Sequence, residues 1–348
     1  MSENLTMKAV GLYRYLPIEA ADSLVDVVVP KPSPSGRDLL VEVKAVSVNP
    51  ADAKVRQPKA AVEAEPRILG WDAAGIVAEA GPACTLFKPG DEVYYAGSIA
   101  RPGANSEFHL VDERIVGPKP VTLDFAEAAA LPLTSITAWE ALVDRLRVSP
   151  LPGGNRDKTI LIIGAAGGVG SMAVQLARYL GFTVIGTASR PESSAWVTEL
   201  GAAHVINHYE EFVPQLAALG FSSVDYILCC NDTDLHWANM ASAIAPQGGI
   251  CAIVPSVQPV NLALLHRKSV TFAWELMFTR PAFETPDMAE QHKLLARLAD
   301  WIDAGHLRTT LTRRLGPMNA ASLKQAHALI ESGRTIGKIA LDAGHPQS

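Results

Sequence analysis

Ala165, Gly167 and Gly170 are spaced A-x-G-x-x-G, with Gly168 and Val169 between them. In front of them stands Thr159–Ile163, an uncharged run suited to a strand buried on both faces of a parallel sheet. Behind them Met172, Val174, Leu176, Ala177 and Leu180 recur at helical spacing. Strand, glycine turn and helix in that order bring free backbone N–H groups and the positive end of a helix to one point. That is the chemistry of pyrophosphate binding. The glycines alone would be a weak sign; the strand before and the helix after carry the reading, against a plain strand-turn-helix.

A second group lies where the next strand ends. Thr183–Thr187 runs into Ala188-Ser189-Arg190, with Ala188 standing 18 residues beyond Gly170. An Asp or Glu there would hold the ribose 2′-hydroxyl of NAD, and neither is present. The Ser189 hydroxyl and the planar fork of Arg190 instead suit a 2′-phosphate, which points to NADPH; the other reading of Arg190 is a turn cap. His208, past the third strand, either adds to that phosphate site or is a surface residue. Asn231, after the fourth strand, is placed to reach a ribose, because ligands of such sheets sit at the carboxyl ends of the strands. Ile253, Val254 and Pro255 end the fifth and would face the nicotinamide carboxamide through their backbone.

The elements that must hold these residues follow from the pattern of the chain. Segments 7–13 and 39–48 alternate as half-buried strands, and Asn49-Pro50-Ala51-Asp52 stops the second of them. A Gly-punctuated strand over 68–81, EVYYA after a KPGD turn, and a strand over 106–111 complete a short-strand, all-β region. An alanine-rich stretch, 123–147, reads as helix interrupted by Pro132. From 158 onward strands and helices alternate, the mark of a doubly wound α/β domain with a mostly parallel sheet. Helices over 288–304 and 320–332 then lead to IGKIALD, a strand suited to pairing with the N-terminal β region. The expected division is therefore a discontinuous catalytic domain, 1–134 with 277–348, and an inserted nucleotide domain, 135–276.

Composition narrows the class. A chain of 348 residues is long enough for two domains, and 48% hydrophobic with 19% charged residues suits a soluble globular protein. A net charge of −6 gives no electrostatic case for nucleic acid or an anionic membrane. No apolar run reaches the ~20 residues of a membrane span. MSENLT has neither part of a signal peptide, and four scattered cysteines make no disulfide framework. A cytoplasmic enzyme is expected.

Taken together, MKAVGLYRYLP, SVNPADAKVR, LGWDAAGIV, KPGDEVYYAG, AAALPLTSITAWEAL, GAAGGVGSMAVQLAR and SGRTIGKIAL resemble the medium-chain dehydrogenase/reductase superfamily. Within it they are closest to the quinone-oxidoreductase-like, zinc-type alcohol dehydrogenase-like proteins. The resemblance runs over essentially the full length. It implies a GroES-like catalytic domain, an NAD(P)-binding Rossmann domain, an active-site cleft between them and a homodimer. It also implies where zinc ligands would fall. Asn49 stands in place of a ligand Cys, and Trp71 in place of a ligand His. No Cys lies near 134–139 or within 92–109 for the remaining ligand or a structural zinc. Cys229 and Cys230, adjacent in a buried strand, read as packing residues. No metal is expected.

Without a metal the acceptor must be polarised by hydrogen bonds, which suits a quinone or an α,β-unsaturated carbonyl whose conjugation spreads the developing charge. By the resemblance Asn49 and Asp52 sit on the catalytic side, Asn49 donating to a substrate or cofactor group and Asp52 orienting it. A turn cap is the alternative. Tyr94 or Tyr95 would supply a proton or a hydrogen bond, only one of the two facing the site; packing is the alternative. Trp71 would wall the pocket or fill the core, and Asp72 anchor its turn. Thr137 matches a hydroxyl residue packed by the nicotinamide. The leading expectation is an NADPH-dependent reductase of quinones or enones. Its alternatives are a zinc alcohol dehydrogenase and an NADPH-binding protein without catalysis.

Overall fold

In the computed structural model, which describes residues 5–344, contacts divide the chain into two units. One runs to Leu133 and resumes at Phe278; the other spans Thr134–Met277. The first unit opens with β1 (Thr6–Tyr15), β2 (Val25–Pro30) and β3 (Asp38–Val48). Alternation within β3 buries Val41, Val43 and Ala45 completely, between half-buried Glu42 and Lys44. Asn49 ends the strand and caps α1 (Pro50–Arg56), with Pro50 at its first turn, where a missing N–H costs nothing. This helix was not expected from PADAKVR. Neither were β2 and β4 (Lys59–Ile68), whose largely exposed residues give little burial signal.

β5 (Ala73–Ala80), β6 (Glu92–Tyr95), β7 (Phe108–Asp112), β8 (Val116–Pro118) and α2 (Phe125–Ala129) follow. The segment 68–81, read as one strand, is two pieces around a turn over 69–72. Gly70 takes φ +108° there, and a Cβ at that position would lie 2.4 Å from the Asn105 side chain. A left-handed backbone in a filled space leaves only glycine.

The second unit begins within α3 (Pro132–Trp139), which continues as one π turn over Glu140–Arg145. It alternates β9 (Thr159–Ile163), α4 (Gly168–Tyr179), β10 (Thr183–Thr187), α5 (Pro191–Glu199), β11 (His204–Ile206), α6 (Phe212–Ala218), β12 (Val224–Cys229), α7 (Thr233–Ala243), β13 (Ile244–Ala252), α8 (Ala263–His266) and β14 (Thr271–Trp274). The sheet order is β11-β10-β9-β12-β13-β14 and every pair is parallel. This is the doubly wound order with its switch point at β9. Ile160, Leu161, Ile162 and Ile163 are all fully buried, as a central strand covered on both faces requires. β13 starts at Ile244, earlier than the apolar run suggests, and 269–278 contributes only the short β14.

The chain re-enters the first unit through α9 (Thr279–Phe283), α10 (Glu290–Asp303), β15 (Leu311–Leu315), α11 (Ala320–Glu331) and β16 (Lys338–Asp342). β16 pairs antiparallel with β3, setting Ile339 opposite Val48 and Leu341 opposite Val46. The larger sheet of this unit thus runs β15-β16-β3-β5-β6-β8, with β7 also on β3. A second sheet runs β2-β1-β4. Arg56 of α1 is buried and donates from Nε to His327 Nδ1 of α11 at 3.3 Å, while its NH2 pairs with Glu331. Among the described residues no helix is long and apolar enough to cross a membrane.

α10 packs on β8 so closely that a Cβ on Gly117 would lie 2.4 Å from the Leu295 Cβ. Gly117→Ala should therefore force the helix outward and lower stability by about 1–3 kcal/mol, the usual cost of overpacking. Denaturant unfolding measures it; an unchanged midpoint would mean that α10 yields freely.

Candidate functional site

The first unit holds a closed polar cluster built at the end of β3. Pro50 sets the helical φ, so Asn49 stays extended at φ −126° and its N–H donates to Asp52 Oδ2 at 2.7 Å. The Asn49 amide donates to Asp72 Oδ2 at 2.9 Å and to the Trp71 carbonyl at 3.2 Å. Its Oδ1 accepts from Lys338 Nζ. Lys338 Nζ also donates to Asp72 Oδ2 at 2.9 Å and to the Val48 carbonyl at 3.1 Å. All three ammonium protons are thereby used. Asp72 Oδ1 accepts from the Leu133 N–H at 2.8 Å, and Asp52 Oδ1 from the Gly70 N–H at 3.0 Å.

None of Asn49, Asp52, Asp72 or Lys338 is more than 3% exposed. Burial pushes the Asp52 carboxyl up to about 7 against the pull of the Asn49 N–H. Burial also raises Asp72, and the Lys338 charge draws it back down. We read Asp72 and Lys338 as an ion pair, because the geometry places the ammonium on the carboxylate and an unpaired buried charge would be far more costly.

This arrangement changes several expected roles. Both Asn49 amide protons are committed inside the cluster, so none is left for a substrate; Asn49 acts as a helix cap and a cross-link. Asp52 accepts from the Asn49 backbone N–H, not from its side-chain amide. Trp71 is 1% exposed, donates Nε1–H to the Ser98 carbonyl at 3.0 Å and meets Phe278 edge-on at 6.1 Å. It is a core residue of its unit, not an open wall. Tyr94 is fully buried and donates to the Leu295 carbonyl at 2.7 Å, with its hydroxyl pushed well above 10 by burial. Tyr95 is equally buried and stacks on His109. His109 Nε2 must donate to the Pro102 carbonyl (2.9 Å), which leaves Nδ1 to accept from the Tyr95 hydroxyl at 3.1 Å. Burial lowers that imidazole to about 4. Neither tyrosine offers its proton outward.

Lys338 is the residue that sequence reasoning missed. IGKIALD reads as a strand, and the sign was a charged residue inside a run whose neighbours are all apolar; such a lysine needs a buried partner.

The second unit gathers its polar groups along the carboxyl edge of the parallel sheet. Gly164, at φ +77°, turns the chain out of β9, and its N–H donates to Thr187 Oγ1 at 3.0 Å. Gly167 is the N-cap of α4, so Gly168, Val169 and Gly170 form the helix's first turn, whose N–H groups have no intrahelical acceptor. At Gly170 a Cβ would lie 2.2 Å from the Gly164 carbonyl oxygen, and Ala165 packs below against Gly186. Ser189 is exposed and Arg190 half-buried where β10 gives way to α5; the Arg190 N–H donates to Ser193 Oγ at 3.2 Å. His208 stands half-buried after β11, and Asn231 exposed after β12.

After β13 come Ile253, whose N–H donates to the Cys229 carbonyl at 3.1 Å, then Val254, whose carbonyl accepts from Thr233 Oγ1 at 2.6 Å, and exposed Pro255. These residues share one edge of one sheet. Thr137 is buried in α3. Cys229 is fully buried and Cys230 half-buried, both thiols raised by burial, in keeping with packing. Among the described residues no three His, Cys, Asp or Glu converge as a metal site.

Comparison with known proteins accounts for both units. Residues 35–121 match the alcohol dehydrogenase GroES-like domain, and residues 200–341 the zinc-binding dehydrogenase family. A zinc-type alcohol dehydrogenase-like protein of Staphylococcus aureus (strain MSSA476) is 42% identical over 336 residues, 97% of this chain and 100% of that protein. An NADPH-dependent alkenal/one oxidoreductase of Arabidopsis thaliana chloroplasts is 29% identical over 86% of this chain and 71% of its own length. The crystal structure of a putative zinc-dependent alcohol dehydrogenase protein from Rhizobium etli CFN 42 superposes with a TM-score of 0.93 at 55% identity, covering 99% of this chain and all of the other. A β-rich GroES-like unit joined to a doubly wound parallel sheet, matched end to end at this identity, places the chain among the zinc-type alcohol dehydrogenase-like proteins of the medium-chain dehydrogenase/reductase superfamily.

Proposed function

We propose that the protein is an NADPH-dependent oxidoreductase that passes hydride to a quinone or an α,β-unsaturated carbonyl without zinc. The observation that carries the reading is the carboxyl edge of the second unit. There a glycine turn opens a helix beside a strand end that offers Ser189 and Arg190 in place of an acidic residue. In this reading Ala165, Gly167, Gly168, Val169 and Gly170 hold the pyrophosphate. Asn231 meets a ribose, Ile253–Val254–Pro255 and Thr137 flank the nicotinamide, and Ser189, Arg190 and His208 take the 2′-phosphate. The bound nicotinamide supplies the hydride. The name of the Arabidopsis relative supports both the cofactor and an enone-type acceptor.

The donor set argues against zinc. The residues at the expected ligand positions are an amide with every proton committed and an indole bonded to a carbonyl. Beside them the Asp72 carboxylate already carries the Lys338 ammonium. A second cation there would meet the first, and softer ligands are absent. A conjugated acceptor fits such a site because its developing charge is delocalised before any donor stabilises it. The saturated cluster also favours a second reading, a protein that holds NADPH without turnover.

The deciding experiment is NADPH oxidation with quinones, enones, simple ketones and alcohols, with and without a chelator, beside elemental analysis of untagged protein. Conjugated acceptors should be reduced at chelator-insensitive rates, with zinc far below one per chain. Turnover of alcohols or ketones alone, lost on chelation, would overturn the reading; binding without turnover would decide for the second.

Arg190→Ala should weaken NADPH binding by about 10–100-fold, the worth of one or two charge-assisted hydrogen bonds of ~1.5–3 kcal/mol. NADH binding should change less than about twofold on the same basis. Equal losses for the two cofactors would assign Arg190 to the turn alone.

Tyr94→Phe should cost about 1–2 kcal/mol of stability, by leaving the Leu295 carbonyl short of a donor. Its kcat should match wild type. A fall in kcat without loss of stability would restore Tyr94 as the proton donor.

A further inference from the structure

The carboxyl edge of the second unit contains an imidazole that no sequence motif singled out. His236 lies in the first turn of α7, wholly enclosed, and neither ring nitrogen has a hydrogen-bond partner. Its ring stands 6.2 Å from that of His208, edge-on at 79°. His208 Nδ1 is also buried without a partner. Phe212 of α6 stacks on His236 at 5.8 Å, and the exposed Tyr209 covers His208 at 4.4 Å. Three buried ring nitrogens with nothing to bond are a cost that a folded chain seldom carries without a purpose.

The charged groups facing the pair are Arg190, from the turn after β10, and Asp232, at the N-cap of α7. Burial lowers both imidazoles below the ordinary range. Arg190 lowers His208 further, and His208 lowers His236 further, while Asp232 alone opposes. Both rings are therefore neutral at pH 7. Arg190 supplies a fixed positive charge beside two groups that can each become positive.

We infer that His208, His236 and Arg190 form a phosphate pocket that gains charge on binding. Entry of the NADPH 2′-phosphate dianion draws one proton from solvent onto the imidazole pair, so NADPH binding consumes a proton and NADH binding does not. The inference rests on the NADPH reading above and adds the mechanism of its selectivity. A dianion beside a neutral imidazole reverses the sign of the local field and raises its pKa. The pair takes one proton rather than two, since a second charge would meet both the first and Arg190. The Arg190 charge acts on His208 and not on His236, so His208 bears on the phosphate; His236 is a positioning residue whose ring stands edge-on to it.

Calorimetric titration at pH 7.5, in buffers of different ionisation enthalpy, counts the protons taken up. NADPH should bind with an uptake of about half to one proton, and NADH with none. The Kd for NADPH should tighten about two- to tenfold between pH 8.5 and 7.5, above the ~6 at which phosphate itself titrates. The Kd for NADH should stay flat. His208→Gln should abolish the uptake and cut the NADPH preference by about tenfold. His236→Phe, which keeps an aromatic ring against Phe212, should reduce the uptake while leaving NADH affinity unchanged. Should that variant not fold, the wild-type slope and His208→Gln decide. NADPH preferred over NADH with no uptake and no slope would overturn the inference alone. NADPH and NADH bound equally tightly would overturn the NADPH reading and this inference with it.

Discussion

The first unit depends on the buried ion pair between Lys338 and Asp72. Taking an ammonium and a carboxylate out of water costs several kcal/mol per ion, and their attraction offsets this only when every remaining proton and lone pair is satisfied. Here that condition fixes four separate pieces of chain. Lys338 brings β16, Asn49 brings the joint between β3 and α1, Asp72 brings the turn after Gly70, and Leu133 brings the start of α3. Removing Lys338 or Asp72 would strand the other's charge in an apolar interior, and removing Asn49 or the Leu133 N–H would leave the pair short of a hydrogen bond, so the four assemble together. Asp72 thus holds the residue at which the chain leaves the first unit, and its neighbour Trp71 packs on Phe278, the residue at which the chain returns. One dipeptide touches both crossings.

The second unit is governed by close approach rather than by charge. The turn from β9 into α4 can form only because Gly170 lets the helix sit on the Gly164 carbonyl and Gly186 lets Ala165 pack beneath it. With the sheet wholly parallel, every loop at its carboxyl edge departs from the same side. Residues as far apart in sequence as Gly164, Arg190, His208, Asn231 and Ile253 are thereby delivered to one line. The same topology brings His236 toward His208, since the turns after β11 and β12 lead into α6 and α7, which pack together.

What the sequence made legible follows from the range over which each signal acts. The apolar run of β9, the glycine turn and the periodic face of α4 are local, and they identified the nucleotide-type sheet. The alternation of β3 and the apolar ending at β16 were equally readable. α1 was not, because PADAKVR has no apolar period and its helix is set by a proline and a cap. β4 was not, because its exposed residues look like loop. Lys338 was read as one residue of a strand because its partners Asn49 and Asp72 lie 289 and 266 residues away, and no spacing rule reaches that far. The tyrosines and Trp71 misled for a related reason: a ring in a strand has the same local pattern whether its hydroxyl faces a substrate or, as Tyr94 does, a helix carbonyl.

The contrast between family name and side chains has a physical content. A metal ion and a lysine both neutralise a buried carboxylate, but a metal keeps coordination positions that a substrate oxygen can enter, whereas an ammonium has three protons and here all three are taken. On the proposed reading the ammonium stands in for such a metal, which keeps the fold around the site and withdraws the Lewis acid. A fold that survives such an exchange says little about chemistry by itself. On the proposed reading the exchange confines the protein to acceptors that need no strong polarisation. Selectivity then passes to the second unit, where the charge that recognises the cofactor is assembled as the cofactor arrives.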